Sequence, residues 1–150
     1  GKSCIDSWAG QQATRALSSG EAEYVEMVNG AARGIFTKNL FEEMGIKMLV
    51  RVCGDSTAAI GICSRLGVGC IRHLDIKYLW LQEKVVNKEV RTEKVPTAEN
   101  VADLMTKALD PARHHELVKS LPMTLEFARG LPKHGQVEAA VRFTVIAMTR

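Results

Sequence analysis

The chain of 150 residues carries 20 lysines and arginines against 17 acids, a net charge of +3, with 46% hydrophobic and 25% charged residues. These are the proportions of an ordinary globular domain with a core of its own, and the charge bias is too small to argue for nucleic-acid binding without a local site. No apolar run approaches the ~18 residues of a membrane span, and the polar stretch after residues 1–3 is not a signal peptide. The four cysteines, Cys4, Cys53, Cys63 and Cys70, lack C-x-x-C spacing and are mostly set among apolar residues. They are expected as buried free thiols in a reducing compartment, cytosol or nucleus.

In chain order, residues 2–17 read as extended, with an irregular middle at Ala9-Gly10. Ser18 followed by Glu21 has the form of a capping box, with the carboxylate expected on the N–H of Ser18. Tyr24, Val25, Val28, Ala31, Ala32, Ile35, Phe36, Leu40 and Phe41 then recur at three- and four-residue spacing. They predict one long amphipathic helix over 19–44, closed by Gly45. Residues 48–53 form a short apolar run broken by Arg51, a pattern that predicts a parallel strand buried on both faces. A second helix is expected over 57–66 with Ala58, Ala59, Ile62 and Leu66 buried, and a third is marked by Leu74, Tyr78, Leu81 and Val85. The other side of that third helix carries Lys77, Lys84 and Lys88, either a solvated face or a strip for phosphates.

Residues 89–95 alternate as a strand stopped by Pro96. A helix capped by Thr97 is expected to run through Val101, Leu104, Met105 and Ala108, and another to start at Asp110-Pro111. Gly130, Pro132 and Gly135 mark a linker, and Val141, Phe143 and Val145 alternate as a short strand, one that could pair with an open sheet edge.

Three acids occupy comparable places in this order: Glu23 in the first turns of the long helix, Asp55 at the end of a central strand, and Asp103 on a helix after a strand. Taken singly, each has an ordinary alternative, as a first-turn acid, a helix N-cap and a surface acid respectively. Taken together, they are carboxylates that would repel one another unless a cation sat among them. Hard oxygen donors suit Mg²⁺ or Mn²⁺, and two such ions ~3.5–4 Å apart hydrolyse phosphodiesters in line.

Four stretches carry a resemblance: Ala-Leu-Ser-Ser-Gly-Glu-Ala-Glu-Tyr at 16–24, Cys-Gly-Asp-Ser-Thr-Ala-Ala-Ile at 53–60, Arg-His-Leu-Asp-Ile-Lys-Tyr at 72–78, and Val-Pro-Thr-Ala-Glu-Asn-Val-Ala-Asp-Leu-Met-Thr-Lys at 95–107. In order and spacing they resemble the ribonuclease H domain of copia-type retrotransposon Pol polyproteins. The resemblance implies an α/β fold, a ribonuclease H-like mixed sheet flanked by helices, over residues 1–123, with 124–150 a tail. It also implies cleavage of the RNA strand of RNA–DNA hybrids by two Mg²⁺ or Mn²⁺ ions, beside an upstream reverse transcriptase region of the same polyprotein. Glu23, Asp55 and Asp103 match three of the family's four catalytic metal ligands, and Arg72, Lys77 and Lys84 are the candidate nucleic-acid contacts. The fourth ligand, an aspartate on the family's first strand, has no counterpart here, and Asp6 is read as a third-strand residue. The expected chain therefore lacks the first two strands and is inactive in isolation; the alternative is a catalytically dead remnant, at most a nucleic-acid-binding or structural module.

Overall fold

The three- and four-residue apolar rhythm after Ser18 does build the longest element. In a computed structural model, which describes residues 6, 8, 16–67, 69, 76–121 and 142–146, helix α1 spans Ser19–Glu43. Ser18 Oγ accepts from the Glu21 N–H at 3.2 Å. The Glu21 carboxylate reaches one residue further back than a capping box requires and accepts from the Leu17 N–H at 2.9 Å. At the other end Gly45 takes φ +81°, so that its N–H reaches the Glu42 carbonyl and the N–H of Ile46 that of Phe41, both at 2.9 Å. This paired turn needs a left-handed residue, which is why glycine stands there.

Strand β1, Leu49–Gly54, pairs in parallel on one side with β2, Val90–Lys94, and on the other with β3, Arg142–Ile146. In register Val50 faces Val90 and Phe143, while Gly54 faces Lys94. Between β1 and β2 the chain forms α2 (Thr57–Cys63), a 3₁₀ turn (Ile76–Leu79) and α3 (Trp80–Val86). After β2 come a second 3₁₀ turn (Thr97–Glu99), the single turn α4 (Asp103–Thr106) and α5 (Pro111–Ser120). Asp110 caps α5 by accepting from the Arg113 N–H at 3.0 Å, with Pro111 in the first turn as expected.

Tyr24, Val25, Met27, Val28 and Ala31 of α1 close over Val50, Val52 and Val90 of the sheet, Ala59, Ile62 and Cys63 of α2, and Tyr78 and Leu81. Each fully buried side chain of this size contributes roughly 1.5–3 kcal/mol relative to exposure. The buried Tyr24 hydroxyl donates to the Tyr78 carbonyl, tying α1 to the segment before α3.

Several expectations fail for physical reasons. The apolar stripe of α1 is buried only in its first half; Phe36 is 72% exposed and Leu40 49%. A helix of 25 residues is about 37 Å long at 1.5 Å per residue. A strand of six covers about 20 Å, so the end of α1 overhangs its support. β1 is not buried on both faces, because Arg51 on the side opposite Val50 and Val52 forms a half-exposed ion pair with Glu93 at 2.8 Å. Helix α2 stops at Cys63, where the Ser64 hydroxyl donates to the Ile60 carbonyl at 2.9 Å, and leaves Ala58 and Leu66 exposed.

The helix expected from Thr97 to Ala108 is broken. Asn100 is extended at ψ 101°, and its side-chain oxygen accepts from the Ala102 N–H at 3.2 Å, a local turn that competes with helix. The strand expected over 2–17 falls mainly outside the described residues, as does Leu74.

Gln82 pins the chain after α2. Buried to 1% exposure, its amide donates to the carbonyls of Ile62 (3.0 Å) and Gly67 (3.1 Å) and its oxygen accepts from the Gly67 N–H at 2.8 Å. Truncation would strand those backbone groups, so Gln82→Ala should lower unfolding free energy by about 2–3 kcal/mol. Urea denaturation followed by circular dichroism measures it, and a loss under ~0.5 kcal/mol would mean that water replaces the amide.

Candidate functional site

Parallel pairing puts the carboxyl ends of β1 and β2 on one side of the sheet, where Gly54 lies opposite Lys94. The residue that follows β1 is Asp55. It is relieved of the capping role that its position suggested, because Ser56 caps α2 by accepting from the Ala59 N–H at 3.2 Å. Helix α1 begins against α2 at the same mouth: a Cβ on Gly20 would stand 2.8 Å from the Ala58 Cβ, closer than real Cβ contacts come. Glycine permits that approach, and Glu23 arrives one turn later.

The Glu23 carboxyl is held above the ordinary carboxylate range, first by burial. A hydrogen bond with the Ser56 side chain opposes this, the Asp55 charge adds to it, and the Lys107 charge again opposes it. Asp103, a metal-ligand candidate by resemblance and a surface acid when taken singly, is 7% exposed. Its Oδ1 accepts from Lys107 Nζ at 2.9 Å across one helical turn, with the ammonium side chain 51% exposed and the carboxylate 10%. The lysine is raised above its ordinary range, first by this hydrogen bond, with further contributions from Asp103, Asp55 and Glu23 charges against a cost of burial.

Glu23, Asp55 and Asp103 are thus brought into one electrostatic neighbourhood from three elements, with the Lys107 ammonium drawn among them. Among the described residues, no three histidines, cysteines or acids stand close enough to cage a metal ion as they are. The sequence signal for Lys107 was present in its four-residue spacing from Asp103, but such pairs are ordinary on helix surfaces.

The expected nucleic-acid contacts are placed differently. Arg72 lies outside the described residues. Lys77 sits 5.1 Å from the centroid of the Tyr78 ring. Lys84 is bonded to both carboxylate oxygens of Glu89, at 3.1 and 2.9 Å, because Lys88 at φ 62° turns the chain back and lets the Glu89 N–H reach the Lys84 carbonyl. The hydrogen bond from Lys84 holds Glu89 below the ordinary carboxylate range. At the end of β2, Lys94 Nζ donates to Thr57 Oγ1 at 2.8 Å.

Asp6 pairs with Arg33 at 2.8 Å, and the same guanidinium lies 4.4 Å from the Trp8 ring centroid. Arg33 is about 15 Å further along α1 than Glu23, in keeping with Asp6 standing outside the carboxylate group. Cys53 and Cys63 are buried free thiols, pushed by burial up to about 11 and about 12, where they are unreactive. Cys4 and Cys70 lie outside the described residues.

Over 109 residues, 71% of the chain, the sequence is 34% identical to the retrovirus-related Pol polyprotein from transposon TNT 1-94 of Nicotiana tabacum. The chain is a distant relative of a retrotransposon Pol polyprotein. It spans 8% of the length of that Pol relative. No family model matches the chain, and no solved structure matches it. Among the described residues of this Pol-related chain, no helix is long and apolar enough to cross a membrane.

The raised Glu23 carboxyl fixes a sign. Protonated Glu23 favours the folded state; that contribution is complete below the unfolded carboxyl value and is lost as pH rises through the higher folded value. Glu23→Gln removes the ionisation while leaving an oxygen for Ser56. Its urea midpoint should therefore exceed that of the wild type at pH 7, and the gap should close towards pH 4. Parallel pH profiles for the two proteins would show that Glu23 ionises without cost.

Proposed function

We propose that this chain is a ribonuclease H-type region of a copia-like retrotransposon Pol polyprotein, acting on the RNA strand of RNA–DNA hybrids beside the polyprotein's reverse transcriptase region. The observation that supports the reading is the shared action of the Glu23, Asp55 and Asp103 charges on Lys107, beside the carboxyl end of β1. It is independent of the motif spacing that first suggested the three as a set. Three carboxylates with neither imidazole nor thiolate are the donor type that suits a hard divalent cation.

Glu23, Asp55 and Asp103 would hold Mg²⁺ or Mn²⁺, which when bound supplies charge stabilisation at a reacting phosphate and an activated water. The chain's own groups do the positioning. Ser56 orients the Glu23 carboxylate, and Lys94, steadied by Thr57, offers a cation for a backbone phosphate beside the mouth.

The resembled family uses a fourth carboxylate on a strand next to the central one. Here the strand at that edge of β1 is Arg142–Ile146, Arg-Phe-Thr-Val-Ile, which contains no acid. That favours a second reading for the chain by itself: a module that holds a nucleic-acid backbone without cutting it.

The test uses a hybrid with labelled RNA in Mg²⁺. Alone, the chain should retard the hybrid with an affinity that falls steeply with salt, the signature of phosphate contacts, and should leave the RNA whole. Joined to an amino-terminal segment that bears the family's first-strand aspartate, it should cut the RNA, and Asp55→Asn should reduce that cutting by roughly 100-fold or more, the scale of losing one key electrostatic group. Cleavage that survives Asp55→Asn, or its absence from the joined protein, would sink the nuclease reading. Binding without cleavage in both proteins would leave the second.

A further inference from the structure

Phe36, Leu40 and Met44, spaced by four, lie along the end of α1 and its C-cap, and all three are exposed, Met44 to 66%. Single exposed apolar side chains are common on protein surfaces, but three on one helix face mark a contact surface. At 100° per residue they share an arc of about 80° with Arg33. Arg33 is already in contact: Asp6 pairs with its guanidinium at 2.8 Å, and the Trp8 ring centroid lies 4.4 Å from it. The stripe is therefore continuous with a contact that the amino-terminal part of the chain makes.

The two ends of that contact give it a direction. Leu17 donates its N–H to Glu21 at the start of α1, whereas Asp6 stands beside Arg33, about 24 Å further along the helix axis. Towards its amino end the chain thus advances along α1 from the first turn to the last. From Arg33 to Met44 is about 16 Å of axis, and residues 1–5 span at most about 17 Å when extended. Polypeptide joined to residue 1 begins within reach of all three exposed side chains.

We propose that Phe36, Leu40 and Met44 form the docking face for the polyprotein segment that precedes residue 1, an apolar-faced stretch tethered to this domain through residues 1–5. The inference rests on the reading of this chain as one region of a longer Pol polyprotein. A second copy of the chain is a poorer occupant, because three side chains offer on the order of a few hundred Å², well short of the ~800 Å² per partner of a stable interface. A tethered segment needs no such area, since attachment supplies an effective concentration in roughly the millimolar range.

Hydroxyl-radical footprinting read by mass spectrometry tests this without recourse to nuclease activity. The 150-residue chain is compared with the same chain carrying, before residue 1, the stretch that precedes the matched region in the tobacco Pol relative. Phe36, Leu40 and Met44 should be modified about fivefold more slowly in the joined protein, the drop from half-exposed to nearly buried that a tethered occupant imposes. Leu66 and Ile76, exposed elsewhere on the chain, should keep their rates. Leu40→Lys, a surface change in the chain alone, should leave its urea midpoint where it was and should lower that of the joined protein.

Equal rates at Phe36, Leu40 and Met44 in the two proteins would overturn the proposal, even where the joined protein cuts a hybrid. Protection without cutting would support it while counting against the nuclease reading. Protection in the unjoined chain that grows with its concentration would make the occupant a second copy and overturn the proposal as well.

Discussion

The seating of the first turns of α1 on β1 and α2 is the constraint on which the site depends. Tyr24 and Glu23 are neighbours in sequence and about 100° apart around the helix; burying one directs the other. Tyr24 is wholly enclosed and its hydroxyl is bound to the Tyr78 carbonyl, which fixes the rotation of α1 about its axis. Gly20 against Ala58 fixes how closely it sits. With rotation and distance set by the core, Glu23 has little choice but to face the loop that carries Asp55 and Ser56. Hydrophobic packing thus determines where a charge goes, at a place where electrostatics alone would have kept the acids apart.

That arrangement costs the chain some stability. Glu23 is raised by burial and by Asp55, so its ionised form at neutral pH is disfavoured relative to an acid in water. Two features offset the cost. Ser56 hydrogen-bonds Glu23 while capping α2, and Lys107 supplies positive charge that favours ionised Glu23. The thiols behind the site take no part: Cys53 and Cys63 are buried, and their raised values keep them neutral. The groups left around Glu23 are carboxylates, a serine hydroxyl and one ammonium.

What could be read in the sequence was what depends on neighbours along the chain. Ser18 and Glu21 marked the start of α1, Gly45 its end and Asp110-Pro111 the start of α5, because capping is local. The alternation at Val90 and Thr92, and at Phe143 and Val145, marked strands for the same reason. Burial of α1 beyond Ile35 was not legible, since the period of Phe36 and Leu40 says which face is apolar but not how far the supporting sheet extends. The burial of Asp103 was not legible because a continuous helix was assumed through Asn100. The resemblance named Glu23, Asp55 and Asp103 together; the effect of Asp55 on Glu23, and of all three on Lys107, became visible only with the chain folded.

The break at Asn100 is what sets where Asp103 stands. An unbroken helix from Thr97 would carry residue 103 about 9 Å along its axis, away from the end of β2 and from the mouth. Instead Pro96 stops the strand just after Val95 has donated to the Gly54 carbonyl at 3.0 Å. A 3₁₀ turn follows, and the Asn100 side chain takes the Ala102 N–H, so the chain reverses within a few residues and starts a new helical turn at Asp103. That turn is too short to bury a face, which leaves its stability dependent on the pair it carries from Asp103 to Lys107. Asp103 and its partner Lys107 are therefore positioned by one local device, and a change at Asn100 would disturb both together.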